Sequence, residues 1–400
     1  MKMVNVDIAI FGGGVAGLWL LNRLAQTQRQ LSCALFETAE LGGGQTIYSQ
    51  GIIHGGTKYA LGGEQTAATK AIAAMPALWQ ACLQGKGDLD LSLVPILSHH
   101  QYLFTTNKFI GKLAGFFGKL ALQGTLTELD KQRYPQIFQH PKFKGLVYAL
   151  NEMAIDVHAL VKVLSAPQKN IFKIDPPTAQ DFQFEGQSLK HMTLSAGDHK
   201  VMLKAQKFIF TAGSGNEILS KLSQPITKMQ RRSLHMVIAK THFNMPVFAH
   251  ALGASTVPRI TITTHPCADE NGGGQGKFAW YLGGQIAEEG IHLSQNAQID
   301  KAKKELTALF PWLSLDHANF KSFMIDRAEP LQENGKRPDN YFYQHHHNMI
   351  VAWPTKLALA PSLANSLLPD LLHLSPGQMD LTALNDFSKP NIATPLWDRP

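Results

Sequence analysis

Three glycines and one acidic residue near the amino terminus constrain this chain more than any of its other residues. Asp7–Gly17 reads as a buried strand, a tight turn and the start of a helix, with glycines at the spacing G-x-G-x-x-G. The first glycine permits the turn, the second lets the backbone approach a pyrophosphate, and the third lets helix and strand pack closely. The turn and the helix start comprise Gly12, Gly14, Val15, Ala16 and Gly17. A second apolar strand ends at Glu37, about 20 residues further on, where a carboxylate can hydrogen-bond a ribose hydroxyl, so the sequence predicts a dinucleotide site.

The composition narrows the class of protein. The 400 residues suffice for a large core and two domains, and the hydrophobic fraction of 44% is ordinary for a globular protein. No apolar run reaches the roughly 18 residues that a membrane span needs, and the first strand begins too early to leave room for a signal peptide. Three dispersed cysteines indicate neither a disulfide framework nor a zinc site. We therefore expect a cytoplasmic protein.

Segments that read as strand, glycine turn and helix recur along the chain. Lys207–Gly215 repeats the amino-terminal pattern, and Met349–Trp353 reads as a strand that a turn and a helix follow. Two β-rich stretches lie between these segments, and the alternation through Phe182–Leu203 predicts a small antiparallel meander. The order predicts a discontinuous nucleotide-binding domain with a β-rich insertion, followed by a loosely held tail at 388–400.

The stretch Ser49–Tyr59 makes the prediction more specific. It resembles the segment after the ribose-binding acid in flavoprotein glycerol-3-phosphate dehydrogenases and L-2-hydroxyglutarate dehydrogenases, which belong to the D-amino-acid-oxidase-like superfamily of FAD enzymes. In the first group a His-Gly-Gly-x-Arg-Tyr string lines the flavin, and here His54–Tyr59 matches it with Lys58 in place of arginine. Further segments that resemble the family, in the same order, are Val147–Leu164, Thr211–Gly213 and Val351–Leu357.

The resemblance implies an α/β protein, α+β overall, in which a Rossmann-like FAD-binding domain carries an inserted β-rich substrate domain. The implied FAD-binding parts are 1–88, 147–224 and 326–387, and the implied substrate-domain parts are 89–146 and 225–325. FAD is the implied cofactor, and a helix that begins at Thr355 and Lys356 is expected to face its flavin pyrimidine. The residues predicted to contact FAD beyond the fingerprint are Gln45, Thr46, Ser49, Gln50, Ala212, Gly213, Thr355, Lys356 and Leu357.

His54 is the predicted catalytic base. Oxidation of an alcohol by a flavin requires a group that accepts the hydroxyl proton while hydride leaves the carbon, and a histidine suits this task. His54 precedes two glycines that permit close backbone approach. The alternative is that His54 only packs against the flavin or orders the glycine loop.

Three residues are predicted to bind an anionic substrate group. Lys58 and Tyr59 belong to the string that lines the flavin, although a lysine gives no planar bidentate contact. Arg327 stands where the family carries an arginine that reaches the substrate carboxylate or phosphate, and Arg337 is the second choice for that position. The alternative for Arg327 is a salt bridge to a neighbouring carboxylate, either Asp326 or Glu329.

The net charge of +7 is concentrated between residues 101 and 150, where 107–122 reads as an amphipathic helix with three lysines on one side. This helix could pack on the substrate-domain sheet or lie on an anionic membrane surface. No nucleic acid is expected as a partner, because the lysines interleave with an apolar helix face. His345–His347 is expected to form a polar hairpin turn and not a metal site, because consecutive residues of an extended chain face opposite sides.

Together these features predict an FAD-dependent oxidoreductase that removes hydride from a small anionic secondary alcohol, either a 2-hydroxy acid or a polyol phosphate. Oxidation of an amino acid or an amine is the first alternative. A nucleic-acid-directed flavoprotein and a flavin-binding protein without turnover are the others. The electrons are expected to pass to oxygen or to a quinone.

Overall fold

The structure, a computed structural model, describes residues 1–27, 30–56, 72–106, 115, 126–222, 226–241, 245–253, 257–267 and 278–399. The strands are β1 (Lys2–Phe11), β2 (Cys33–Glu37), β3 (Ile52–Ile53), β4 (Ile96–Ser98), β5 (Gln101–Thr105), β6 (Leu126–Glu128), β7 (Leu146–Leu150), β8 (Met153–Ile155), β9 (Ile171–Lys173), β10 (Phe182–Glu185), β11 (Ser188–Ala196), β12 (His199–Phe210), β13 (Met229–Thr241), β14 (Ala249–Leu252), β15 (Pro258–Pro266), β16 (Phe278–Gly283), β17 (Asn319–Pro330), β18 (Phe342–His346) and β19 (Met349–Trp353). The α-helices are α1 (Val15–Ala25), α2 (Met75–Leu83), α3 (Val157–Ser165), α4 (Gln285–Glu289), α5 (Gln295–Leu309) and α6 (Ala360–Leu372).

The first large sheet has a parallel core in the order β19-β12-β1-β2-β9. The carboxyl half of β1 is buried on both sides, as its continuous apolar sequence predicts for a central parallel strand. β10 and β11 form the predicted antiparallel meander with the first half of β12. β18 adds to the other edge through a hairpin with β19, and the His345–His347 tract lies at that hairpin, as predicted.

Four helices cover one face of this sheet. α1, α2, α3 and α6 contribute to a single apolar cluster, in which the rings of Trp19 and Trp79 lie 4.9 Å apart. α3 begins after Asp156, whose carboxylate accepts the backbone N–H of Ala159 at 2.9 Å and so caps the helix. None of the described helices combines the length and the apolar character that crossing a membrane requires.

The second large sheet is mainly antiparallel and runs β17-β13-β16-β15-β14-β5-β7-β6. α4 and α5 pack on one of its faces, where Trp280 and Phe310 are fully buried. A small third sheet, β3-β8-β4, lies next to the helical layer of the first sheet, because Ile53 and Ile155 join the same apolar cluster as α1. The mixed α/β architecture agrees with the predicted fold class.

The chain changes between the two large sheets later than the predicted positions 147 and 326. β7 pairs with β5 as far as Leu150, and β17 pairs with β13 as far as Pro330. Both strands keep their ladder hydrogen bonds over their full length, which holds them in the second sheet. Arg327 consequently lies on a strand of the second sheet.

The prediction that the tail 388–400 is loosely held is wrong for its described residues. The backbone N–H of Ala393 donates to the carbonyl of Leu41 at 3.0 Å, which ties the tail to the segment after β2. Trp397 is 6% exposed and stacks on the buried ring of His265, with ring centroids 4.1 Å apart. The aromatic burial at Trp397 stabilises an ordered tail, and the polar composition of the segment concealed this.

We expect Trp397→Ala to lower the free energy of unfolding by about 3–5 kcal/mol, because it removes a large buried side chain. Thr394→Ala is the control, since Thr394 is an exposed residue of the same tail. Its effect should stay within about 0.5 kcal/mol. Urea unfolding of both variants measures the difference, and equal midpoints would show that the tail does not contribute to stability.

Candidate active site

Three turns lie side by side at the carboxyl ends of β1, β12 and β19. The backbone N–H and the hydroxyl of Thr211 both donate to the carbonyl of Phe11, at 2.8 and 3.1 Å. The indole N–H of Trp353 donates to the carbonyl of Gly213 at 3.1 Å. Because β2 and β12 lie on opposite sides of β1, this edge is a topological switch point, where open α/β sheets bind ligands.

The fingerprint glycines permit backbone contacts that no side chain would allow. Gly12 has a φ of +108°, and a Cβ there would lie 2.6 Å from the Cα of Ala212. A Cβ on Gly17 would lie 2.1 Å from the carbonyl oxygen of Gly12. A Cβ on Gly14 would meet only the hydroxyl of Thr46, at 3.2 Å. Gly12 and Gly17 therefore join the strand to the helix, while Gly14 leaves room beside the turn.

The amino terminus of α1 has the properties of an anion site. No side chain caps it, and no acidic residue lies in its first turn. The backbone N–H of Val15 donates to the Thr46 hydroxyl at 3.0 Å, and the Ser49 hydroxyl is buried without a hydrogen-bond partner among the described residues. A pyrophosphate would satisfy both the positive helix end and the unpaired hydroxyl, so the residues fit the diphosphate of a dinucleotide.

Glu37 lies at the end of β2, as the predicted ribose-binding acid should. Its carboxylate accepts backbone N–H groups from Gly13 at 2.6 Å, Thr38 at 2.7 Å and Ala39 at 2.9 Å. These bonds hold the carboxylate at the end of β2 and leave acceptor capacity for a ribose hydroxyl, a contact that stays a prediction.

The segment 45–50 connects the nucleotide turns to the second sheet. The side-chain oxygen of Gln45 accepts the backbone N–H of Ala328 at 3.1 Å, and the Tyr281 hydroxyl donates to the carbonyl of Tyr48 at 2.8 Å. The side-chain amide of Gln50 donates to the carbonyl of Tyr281 at 2.9 Å and to a β15 carbonyl at 3.2 Å. Both N–H groups of Gln50 thus have partners in the second sheet, and its contact with a cofactor stays a prediction.

The turn after β19 differs from the predicted helix start. Thr355 has a φ of +58° and Lys356 is extended, so neither is helical. A short 3-10 segment follows at Leu357–Leu359, and α6 begins at Ala360. The Thr355 hydroxyl donates to the carbonyl of Asn340 at 2.9 Å, which fixes this turn against the preceding loop.

Lys356 is a buried cation next to other cations. Its Nζ donates to the carbonyl of Asp339 at 2.6 Å. Burial, with the positive charges of Arg337 and Arg327, lowers the pKa of Lys356 to about 7. The amine therefore exchanges its proton near neutral pH.

Arg327 lies on β17 with a half-buried side chain, and the neighbouring carboxylates pair with other arginines. Asp326 lies 3.6 Å from Arg231, and Glu329 pairs with Arg232 at 2.9 Å. The salt bridge considered as the alternative for Arg327 is therefore absent from the described residues. Burial and the charges of nearby arginines lower the pKa of Arg327 to about 10, which leaves it cationic at neutral pH.

His54 follows β3 directly and is half-buried. Lys58 and Tyr59 lie outside the described residues, as does the predicted helix 107–122 except for Gly115. Their roles, and the membrane contact through that helix, stay predictions. Arg337 is exposed, yet its charge acts on both Arg327 and Lys356, so the structure brings both candidate arginines to one region.

Sequence reasoning did not single out Tyr48, Tyr281 or Arg232, and it considered Glu329 only as a partner of Arg327. Tyr281 and Glu329 lie on strands whose alternating pattern indicates only which residues face inward. The signal that could have suggested the Arg232–Glu329 pair is the acid close to Arg327 together with the arginine pair Arg231–Arg232. The pairing of Arg232 with Glu329 depends on the strand register, which the sequence pattern does not specify.

The glycine turn, the uncapped helix end and the acid at the end of β2 define an α/β protein that binds an adenine dinucleotide at a sheet switch point. The family model for FAD dependent oxidoreductases (DAO) matches residues 7–350. The chain is 40% identical, over 99% of its length and 98% of the relative's, to the probable FAD-dependent oxidoreductase PA4991 of Pseudomonas aeruginosa.

Solved structures agree with this match. The crystal structure of the FAD dependent oxidoreductase PA4991 from Pseudomonas aeruginosa has a TM-score of 0.81 at 37% identity, covering 99% of this chain and 98% of that one. L-alpha-glycerophosphate oxidase from Mycoplasma pneumoniae, with FAD bound, has a TM-score of 0.65 at 14% identity, covering 98% and 100%. Glycine oxidase from Geobacillus kaustophilus has a TM-score of 0.63 at 15% identity, covering 95% of this chain and 98% of that one. The last two likenesses concern the fold alone.

The chain belongs to the DAO family of FAD-dependent oxidoreductases, and FAD is its cofactor. The predicted family, enzyme class and cofactor are confirmed.

We expect Gly17→Ala to abolish stable FAD binding, because its Cβ would push α1 away from the Gly12 carbonyl and the Thr211 hydroxyl. Overpacking of this kind also costs about 1–3 kcal/mol of stability. Gly44→Ala is the control, since a Cβ there meets nothing within 4 Å. The ratio of flavin to protein after purification measures the effect, and full FAD content in Gly17→Ala would contradict the packing role.

Lys356 should make the stability depend on pH in one window. Its pKa is about 7 in the folded protein, below the ordinary lysine value, so between these values the unfolded chain binds more protons than the folded one. The free energy of unfolding should therefore rise with pH from about 7 to about 10, by at most about 1.4 kcal/mol per unit. Lys356→Met should lack this rise. Urea unfolding of both proteins at several pH values tests it, and parallel curves would contradict it.

Proposed function

We propose that this enzyme oxidises a small anionic substrate at a carbon that carries a secondary hydroxyl, as in a 2-hydroxy acid or a polyol phosphate. The observation that supports this most directly is Arg327. Its half-buried guanidinium has no carboxylate partner among the described residues, although two carboxylates flank it in sequence. The residue after it, Ala328, is bonded to Gln45 of the predicted cofactor segment. A planar guanidinium in this place suits a carboxylate or phosphate group.

The cations around Arg327 support an anionic substrate further. Lys356 and Arg337 act electrostatically on the same region. Lys356 belongs to the turn after β19, which lies beside the β12 turn at the switch point. Binding a substrate anion here would relieve the repulsion among these charges and raise the pKa of Lys356. Lys58 and Tyr59 would add to this site as the string that they belong to implies.

His54 supplies the base in this proposal. FAD, when bound, accepts hydride at N5. An alcohol loses its hydroxyl proton only at high pH, so a positioned base must take that proton as the hydride departs. His54 follows β3, whose Ile53 packs in the same apolar cluster as α1, and this keeps the histidine close to the nucleotide-binding layer.

Oxidation of an amino acid is the second candidate, because a substrate carboxylate would satisfy Arg327 equally well. The two candidates differ in the reacting group: a hydroxyl needs a base at neutral pH, whereas an amine reacts once it is neutral. Oxygen or a quinone is proposed as the electron acceptor.

The substrate class is tested by mixing the enzyme anaerobically with 2-hydroxy acids, polyol phosphates and amino acids while the flavin absorbance is followed. We expect a hydroxy compound to bleach the flavin, and air or a soluble quinone to restore the colour. Reduction by an amino acid, with no hydroxy compound active, would overturn the proposal in favour of the second candidate.

We expect His54→Ala to slow flavin reduction by about 100-fold or more and to retain FAD, because the proton would lose its acceptor. His292→Ala is the control, since His292 is exposed in the second-sheet region. Stopped-flow absorbance measures the reduction rate. An unchanged rate in His54→Ala would remove this histidine from the mechanism.

A further inference from the structure

Two arginines and one glutamate share a face of the second sheet next to the candidate active site. Arg232 on β13 and Arg327 on β17 are directly opposite each other in the antiparallel ladder. Glu329 lies two residues beyond Arg327 on the same strand, so its side chain points to the same face. The register pairs Glu329 with Gln230 and places Arg232 on the diagonal. Glu329 therefore has an arginine neighbour on each strand.

Glu329 bonds to only one of these arginines. Nε and Nη2 of Arg232 donate to the two carboxylate oxygens of Glu329 at 2.9 and 3.0 Å. Glu329 is fully buried. The side-chain amide of Gln230 adds a long contact of 3.5 Å. Bidentate guanidinium pairs of this kind are the strongest that a buried carboxylate can form.

An attraction between Glu329 and Arg327 competes with the pair that Glu329 forms with Arg232. The charge of Glu329 raises the pKa of Arg327, whereas burial and the charges of Arg337 and Arg232 lower it. A buried carboxylate cannot remain unpaired without a large cost. If Arg232 were removed, the cation in best position to accept Glu329 would be Arg327.

We propose that Arg232 is a positioning residue that binds Glu329 and so prevents it from neutralising Arg327, which keeps the Arg327 charge available to a substrate anion. This inference rests on the proposed function, because it assumes that Arg327 binds the anion. Arg232 does not touch the substrate in this arrangement. It decides which of two arginines the buried carboxylate neutralises.

The proposal predicts opposite effects for the two members of the pair. Arg232→Gln leaves Glu329 to pair with Arg327, so anion binding should weaken. Glu329→Gln removes the competing charge, so anion binding should stay equal or become tighter. The double variant Arg232→Gln/Glu329→Gln should recover binding. A pair that only stabilised the sheet would weaken binding in both single variants.

The experiment titrates sodium acetate and inorganic phosphate into the oxidised holoenzyme and measures dissociation constants by calorimetry and flavin absorbance. We expect Arg232→Gln to weaken binding by about tenfold or more, and the double variant to return within about threefold of the wild type. Arg259→Gln is the matched control, because Arg259 on β15 of the same sheet pairs with Glu305 of α5. It should leave the dissociation constants unchanged.

The outcomes separate this inference from the proposed function. If the wild type binds neither anion, or if Arg327→Gln binds them as well as the wild type does, both fail. If Arg327→Gln loses binding while Arg232→Gln retains it, or the double variant stays weak, only the inference fails. If the Arg232→Gln variant loses FAD, the test depends on the Glu329→Gln variant alone. Weaker binding of acetate and phosphate by Glu329→Gln would then overturn the inference.

Discussion

The close approach of the β1 turn to the β12 turn is the contact on which the rest of this enzyme depends. Gly12 has a backbone conformation that residues with a side chain rarely adopt, and it lies against Ala212. Gly17 lets α1 begin almost in contact with the Gly12 carbonyl. Thr211 joins the two turns by hydrogen bonds to Phe11. Because this packing aims the amino terminus of α1 at the switch point, the position of the FAD site and the arrangement of the parallel core have the same physical origin.

The second sheet is coupled to that site through a few specific contacts. Gln45, Tyr48 and Gln50 all bond to strands of the second sheet, and the tail places Trp397 beneath the same strands. The segment that is predicted to line the cofactor is thus also the one that positions Arg327. A change in the second sheet can reach this segment through these bonds. Breaking a buried hydrogen bond leaves a polar group unsatisfied, which costs more free energy than the bond contributes to stability.

Much of the architecture was predictable because it follows local rules. The alternation in Phe182–Leu203 predicted the meander, and Met349–Trp353 was predicted as a strand with its observed bounds. The errors arose where a local rule competed with tertiary contacts. Thr355 was expected in a helix, but its hydroxyl bond to Asn340 accompanies a left-handed turn. The polar tail was expected to be loose, but the burial of Trp397 holds it.

The sequence by itself determined a dinucleotide site in a Rossmann-like domain, because glycine spacing and a terminal acid are demanded by the backbone geometry of that site wherever it occurs. The resemblance of Ser49–Tyr59 to a known family then indicated FAD. Only the tertiary structure decided which charges compensate one another. Arg327 had two acidic candidates in the sequence, and the register between β13 and β17 assigned Glu329 to Arg232 instead. The physical reason is that a charge pair requires two atoms within a few ångströms, and residues nearly 100 positions apart reach that distance only when the sheet has formed.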